Sequence, residues 1–459
     1  MFIGREEELA LLNKKYQSGN FEFGVIYGTR RIGKTTLINE FIKDKDAIYF
    51  QAKEVAVKDN RRAFSRAINE KMSLPLDYVY PDWETIFAAI LSFYKGKRGI
   101  LVIDEYPYLA ARGSGFSSYL QDFIDNHAKE SQLMILLSGS NISFMEKEMK
   151  NRTSPLYKRK TFAMKIAPLA FKDAVAFLKG ISLEGKASYL SLFGSHPYYL
   201  SFIDKRASFE DNLQELVYSK EGPLLDAPND VLTSSVRESA FYNSILSAIS
   251  KGYITIDAIA EYLEETAPKI GKYLDRLLKD AIVEKKVMFN STRKTYYAIR
   301  DRFLDFWYRF IMDEESRIAI GFGKAVYQEQ TNGIKNFLEH HYEDVCLDYL
   351  QEESLSGHLG APYYPIQNLR IEKSELGRSI EIDGLSRYQS HLLVVECKFT
   401  NRKRTYQDCL DMQEDVSIRL FAKQTDKEFY LFSKNGFADG LKEKLGENFH
   451  LVKNKDFLN

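Results

Sequence analysis

Between residues 21 and 165, short apolar runs (FGVIY, AIYF, GILVIDE, LMILLSGS) alternate with stretches of helical spacing. That rhythm predicts a parallel sheet with helices on both faces. From about Pro168 to Leu232 the pattern is helical throughout. Residues 241 to 300 predict three short helices and a hairpin. FYNSILSAISKG is amphipathic, TIDAIAEYLEE starts behind a Thr cap, and PKIGKYLDRLLKDAI keeps helical spacing. IVEKKVMF and TYYAI then flank the turn NSTRK. An aromatic helix, DRFLDFWYRFI, leads into a last α/β segment from about 334 to 459.

Within that segment, the apolar run Leu392 to Val395 predicts a buried strand that ends in Glu396-Cys397-Lys398. Side chains alternate along a strand, so Glu396 and Lys398 share one face and Cys397 takes the other. Asp383 lies a short loop earlier. Gly384, directly after it, marks a candidate strand end.

Composition adds bounds rather than an identity. A length of 459 residues suggests about three domains. Apolar content of 44% and charged content of 28% are those of an ordinary globular chain. With 64 basic and 64 acidic residues, any basic surface must be local. The three cysteines, Cys346, Cys397 and Cys409, lack metal-site spacing, and their odd count argues against a disulfide framework. The opening MFIGREEELA lacks the apolar core of a signal peptide, and no segment approaches the ~20 apolar residues of a membrane span. A cytoplasmic protein is expected.

The chemistry begins in FGVIYGTRRIGKTTLINEF. Gly28-x4-Gly33-Lys34-Thr35 lies between a strand and a helix, where backbone N–H groups from Gly28, Thr29, Arg30, Arg31, Ile32, Gly33 and Thr36 can wrap phosphates. Lys34 would reach the β- and γ-phosphates, and the Thr35 hydroxyl would ligate Mg²⁺. GILVIDEYPYL supplies Asp104 as a partner for Mg²⁺ and Glu105 to orient or deprotonate the attacking water. LMILLSGSNISFM ends in Ser138, Ser140 and Asn141, which either sense the γ-phosphate or form a capped turn. In NRTSPLYKRK, Arg152 and Arg159 are either arginine fingers or a solvated basic loop.

FIGREEEL, GTRRIGKTTL, LVIDE, LSGS, SPLYKR and GSHPYYL, in this order, resemble the archaeal-type AAA+/STAND ATPases over roughly residues 1 to 235. The resemblance implies ATP as ligand, with Gly4 and Arg5 against the base and Pro197 in a helical lid near the ribose and phosphates. Ser195 and His196 depart from the usual lid pattern. Residues 241 to 300 look like a winged helix. Its third helix, near Lys269 to Lys279, would enter a DNA groove, and its wing offers Lys285, Lys286, Arg293 and Lys294 beside Phe289, Tyr296 and Tyr297. Intramolecular packing is the equal alternative, because Asp275 and Asp280 interrupt the basic face.

DRFLDFWYRFI, FLEHHYEDVCLDYL, EIDGLS and LLVVECKF resemble DUF234, a PD-(D/E)xK nuclease-like class, over about residues 301 to 459. Asp383 and Glu396 would share a divalent metal, Lys398 would position the nucleophile, and Glu343 would add a carboxylate. Arg402, Lys403 and Arg404 can hold a DNA backbone. His340 and His341, without partners at ligand spacing, are expected to face solvent. The expected organisation is an α/β chain: a P-loop NTPase parallel sheet (1–165), a helical lid (166–235), a winged helix (236–300) and a restriction-endonuclease-like α/β domain (301–459). Two functions follow. One is an ATPase controlling a DNA-cleaving domain, with a second copy of the chain among its candidate partners. The other is a nucleotide-dependent DNA- or protein-binding switch with an inactive nuclease-like domain.

Overall fold

The computed structural model describes residues 2–110, 114–226, 239–287, 289, 295–371, 374, 376–400 and 402–459. The chain divides into two compact units, Met1–Pro168 with Lys279–Ala281, and Leu169–Leu278 with Ile282–Asn459.

In the first unit, β1 (Glu22–Tyr27), β2 (Ala47–Gln51), β3 (Gly99–Asp104), β4 (Leu133–Gly139) and β5 (Phe162–Lys165) form a sheet of order β2–β3–β4–β1–β5. Every pairing is parallel. All residues of β1, β3 and β4 are buried, which is why their sequences are continuous apolar runs instead of alternations. One face packs Val25, Ile103 and Leu137 against Phe64, Ile86 and Phe116. The other packs Ile26, Val102 and Leu136 against Leu12, Leu37 and Phe41. The adjacent pairs Tyr27–Gly139 and Ile103–Leu137 bring the carboxyl ends of β1, β3 and β4 together. Open parallel sheets place their ligand sites at that edge.

The second unit starts with the helices Phe171–Phe177, Leu183–Phe193 and Phe209–Leu216. Three more follow, Ser239–Ser250, Ile256–Tyr262 and Ala267–Lys279. The Thr255 hydroxyl caps the middle one by accepting from the Ala258 amide at 3.2 Å, as its position predicts. β6 (Val283–Val287) and β7 (Thr295–Ile299) form an antiparallel hairpin. The helices Arg302–Phe310 and Gly323–Leu355 lead to a mixed sheet. Its strands are β8 (Gln367–Ile371), β9 (Ile380–Tyr388), β10 (His391–Lys398), β11 (Asp426–Ser433) and β12 (Phe449–Lys453), in the order β12–β11–β10–β9–β8. β10 runs antiparallel to β9 and parallel to β11.

One apolar core runs through this unit. Phe193, Tyr199, Leu246, Leu274, Phe303, Trp307, Val345, Cys397 and Leu458 all belong to it. β10 divides its side chains: Leu393, Val395 and Cys397 enter that core, while Leu392 and Val394 enter a second one with Leu385, Val416 and Phe429. β9 does not end at Gly384. It continues to Tyr388, and Gly384 pairs with Val395. A Cβ at Gly384 would lie 2.6 Å from the Leu347 side chain and 3.0 Å from Val395 Cβ. The glycine therefore lets the long helix approach the sheet; it does not break the strand.

Candidate functional site

The loop after β1 closes on its own lysine. Lys34 Nζ donates to the carbonyl oxygens of Gly28 at 3.1 Å and Thr29 at 2.8 Å. Burial lowers the Lys34 pKa, while the nearby Glu105 and Asp104 pull it back up. Gly28 has no room for a side chain, since a Cβ would meet the Ile166 carbonyl at 2.5 Å. Gly33, with φ of 93°, turns the chain into the helix Lys34–Ile42. Arg31 also has positive φ, at 62°. Ile32 anchors the loop in the core, and Thr36 is exposed on the first turn. Arg30 donates to the Tyr108 hydroxyl at 2.8 Å.

At the end of β3, fully buried Asp104 accepts from the Thr35 hydroxyl at 2.8 Å and from the Tyr49 hydroxyl at 2.8 Å. A hydroxyl and a carboxylate this close are hard oxygen donors that one Mg²⁺ can share. Glu105 turns out of the strand in a left-handed conformation, φ 52° and ψ 44°. Its carboxylate is held by the Ser140 hydroxyl at 2.9 Å and the Ser140 amide at 3.3 Å. A strained non-glycine residue beside a phosphate-type loop is a common mark of a functional position. Asn141 takes the capped-turn role, accepting from the Phe144 amide at 2.9 Å. Arg5 braces the loop, donating to Ile32 O at 3.2 Å and Ala167 O at 2.6 Å, and Gly4 precedes it with φ of 71°. Pro197 opens the short helix Pro197–Leu200 of the second unit. Tyr49 belongs to no motif; only its outward register on β2, between buried Ile48 and Phe50, signals it.

In the second unit, Asp383 of β9 and Glu396 and Lys398 of β10 converge. Lys398 Nζ lies 2.8 Å from Glu396 Oε1 and 3.9 Å from Asp383 Oδ2. Asp383 also accepts from the Cys397 amide at 2.7 Å. Burial and the Glu396 charge push Asp383 up to about 7, with Lys398 opposing. Burial and the Asp383 charge push Glu343, on the helix Gly323–Leu355, up to about 8. Carboxyls that resist ionisation together are ones a divalent cation would relieve. Among the described residues, however, no group of three or more His, Cys, Asp or Glu side chains is arranged to hold a metal. As the side chains stand, Asp383 and Glu396 converge on Lys398.

A family model described as an ATPase domain predominantly from Archaea matches residues 2–203. A second, DUF234, described as archaeal and bacterial proteins of unknown function, matches residues 307–409. An uncharacterised protein of Methanocaldococcus jannaschii is 31% identical over 407 residues, covering 88% of this chain and 88% of that protein. The chain belongs to the archaeal ATPase family. A protein of the same archaeon named as ATP-binding matches this ATPase at 42% identity over 45 residues, 10% of the chain and 76% of that protein. The Walker-type ATPase PABY2304 of Pyrococcus abyssi shares the fold, with a TM-score of 0.53 at 20% identity, covering 67% of this chain and 96% of that one. The expected α/β fold with a P-loop sheet is therefore the fold of this ATPase.

Several expected surface groups of the ATPase are engaged internally. His341 is buried, not solvent-facing: Nδ1 lies 2.8 Å from Asp344 and Nε2 3.3 Å from Asp305. Burial lowers its pKa, and the two carboxylates more than reverse that. His340 does face solvent. Arg159 donates to Asp125 at 2.6 and 2.9 Å and to the carbonyls of Pro155 and Tyr157, while Arg152 is exposed. In the hairpin, Lys286 lies 3.6 Å from Asp344, the buried Phe289 ring packs tilted against Phe421 with centroids 6.0 Å apart, and the Tyr296 hydroxyl donates to Asn368 at 3.0 Å. Arg293 and Lys294 lie outside the described residues. Among the described residues, no helix is long and apolar enough to cross a membrane.

Proposed function

We propose that this ATPase binds and hydrolyses ATP at the Gly28–Thr36 loop, and that its nucleotide state controls a metal-dependent, nuclease-like DNA-processing site in the second unit. The observation that carries the reading is the contact of Thr35 with Asp104 directly beside the caged Lys34. Lys34 would exchange its loop carbonyls for phosphate oxygens, and Thr35 and Asp104 would hold Mg²⁺. When bound, Mg²⁺ neutralises charge on the phosphates. Glu105, fixed by Ser140, accepts a proton from the attacking water or aligns it. ATP rather than GTP rests on family resemblance. In the second unit, Asp383 and Glu396, with Glu343 nearby, would hold a divalent ion that polarises a phosphodiester, and Lys398 would stabilise the developing charge.

A plasmid-nicking assay with Mg²⁺ or Mn²⁺, run with ATP, ADP or no nucleotide, tests this. Wild-type protein should nick DNA at a nucleotide-dependent rate, and Asp383→Ala and Lys398→Ala should each slow nicking at least about 100-fold. Nicking that survives both substitutions removes this pocket as a catalytic centre. A second reading, a nucleotide-dependent switch that binds DNA or a protein without cutting, is favoured by the closed Lys398–Glu396 pair. It predicts nucleotide-dependent binding and no nicking in any metal.

A further inference from the structure

The segment after β10 carries three cations in a row. Arg402 donates to Asp408 Oδ1 at 2.6 Å, and Lys403 meets exposed Asp439 at 3.3 Å. Both are largely exposed and screened. Arg404 is built differently. It is 6% exposed, with one terminal nitrogen 3.7 Å from Glu396 Oε1 and the other 3.3 Å from Asp408 Oδ1. Glu396 Oε1 is the oxygen that Lys398 reaches at 2.8 Å, so two cations share it.

The backbone of Arg404 is tied to the neighbouring strand end. The Arg404 amide donates to Gly436 O at 3.1 Å, its carbonyl accepts from the Ala438 amide at 2.8 Å, and the residue bridges to Phe437. Asp408, its outer anchor, accepts from the Thr405 amide at 2.6 Å and the Thr405 hydroxyl at 3.0 Å. The guanidinium therefore lies buried between Glu396 and Asp408, unlike the charged groups of its two exposed neighbours. Its Nε is buried and meets no hydrogen-bond acceptor among the described residues. A buried, charged donor left unmet is costly, and a guanidinium offers its donors as a rigid fork matched to phosphate oxygens.

We infer that Arg404 is a phosphate-binding residue of the acidic pocket, gripping a non-bridging oxygen of a nucleic-acid phosphodiester beside Lys398. This rests on the reading of that pocket as a DNA-processing site. Glu396 Oε1 holds both cations in position, and the arriving phosphate shares them.

The test is fluorescence anisotropy of a labelled DNA duplex with the full chain, in Ca²⁺ to hold off cleavage, over a series of salt concentrations. Arg404→Gln should weaken binding about 10- to 100-fold, the loss of one charged hydrogen-bonded contact. The slope of log affinity against log salt should fall by about one. Arg404→Lys keeps the charge, so it should keep the slope yet bind several-fold more weakly, with a thermal midpoint near that of wild type. A merely structural arginine would not move the salt slope. Wild-type affinity and slope in Arg404→Gln overturn the assignment; if that variant does not fold, wild-type affinity in Arg404→Lys overturns it. Nicking by wild type in Mn²⁺ is scored separately. DNA affinity that depends on Arg404 without nicking sinks the nuclease reading and keeps the phosphate contact; nicking with Arg404-independent affinity does the reverse.

Discussion

Lys34 and Glu105 face the same loop and do opposite work. In the proposed site the lysine would offer charge to a ligand, whereas the glutamate, bent into a left-handed turn and fastened to Ser140, would offer an acceptor. Glu105→Gln keeps the shape and removes the basicity, so it should bind ATP with near wild-type affinity and turn it over about 10²- to 10⁴-fold more slowly. Lys34→Ala should lose turnover through lost binding, with the fold intact. Phosphate release and equilibrium nucleotide binding, measured on both variants, separate these effects. If Glu105→Gln hydrolyses at the wild-type rate, another residue is the base. Lys34, Thr35, Asp104 and Glu105 were legible in the sequence because each belongs to a short contiguous motif at a strand end, where local spacing dictates position. Arg5 was less so. Its guanidinium reaches Ala167, 162 residues away, and nothing local reports that.

At the scale of elements, β9, β10 and the helix Gly323–Leu355 assemble the acidic pocket. The two-residue period of β10 was enough to put Glu396 and Lys398 on one face and Cys397 on the other, and the structure has them so. What the strand pattern could not reveal is the helix lying over Gly384, because close backbone approach is a tertiary fact. Gly384→Val should destabilise the second unit by about 1–3 kcal/mol, the usual cost of overpacking. By moving β9 against β10 it should also blunt any chemistry of Asp383. Urea unfolding of wild type and variant measures the first effect, and unchanged stability would mean that the Leu347 side chain simply moves aside. The burial of His341 escaped for a related reason. The 33-residue helix is covered on several sides, so its apolar positions form no single clean stripe. The hairpin illustrates the opposite limit: composition marked Phe289 and Tyr296 as aromatic, and only packing against Phe421 and Asn368 shows what they touch.

For the molecule as a whole, the core that runs from Leu169 to Leu458 reaches the acidic pocket through Cys397, which lies between Glu396 and Lys398 on β10. The helix Gly323–Leu355 joins the parts: Glu352 accepts from the Phe171 amide at 2.6 Å, and Glu343 faces the pocket. Protonation of the pocket should therefore be felt as stability of the unit. Burial, with neighbouring negative charge, raises Asp383 to about 7 and Glu343 to about 8, so the folded state binds these protons more tightly than the unfolded chain. His341 is raised by Asp305 and Asp344 despite burial, and it acts in the same sense. More bound protons in the folded state mean that stability falls as pH rises through these values. Asp344, held well below the carboxylate range by Lys286, His341 and Arg302 despite its burial, titrates beneath this window and does not oppose the trend. The thermal midpoint of the second unit should drop between about pH 5 and about pH 8.5, and Asp383→Asn should flatten the fall. Mn²⁺ added at the alkaline end should recover part of the midpoint in wild type and less in Asp383→Asn, since a divalent ion stabilises the ionised carboxylates that protons no longer quench. A midpoint that stays level or climbs across this range would show that the carboxyl groups of the pocket ionise in the folded chain as readily as in the unfolded one.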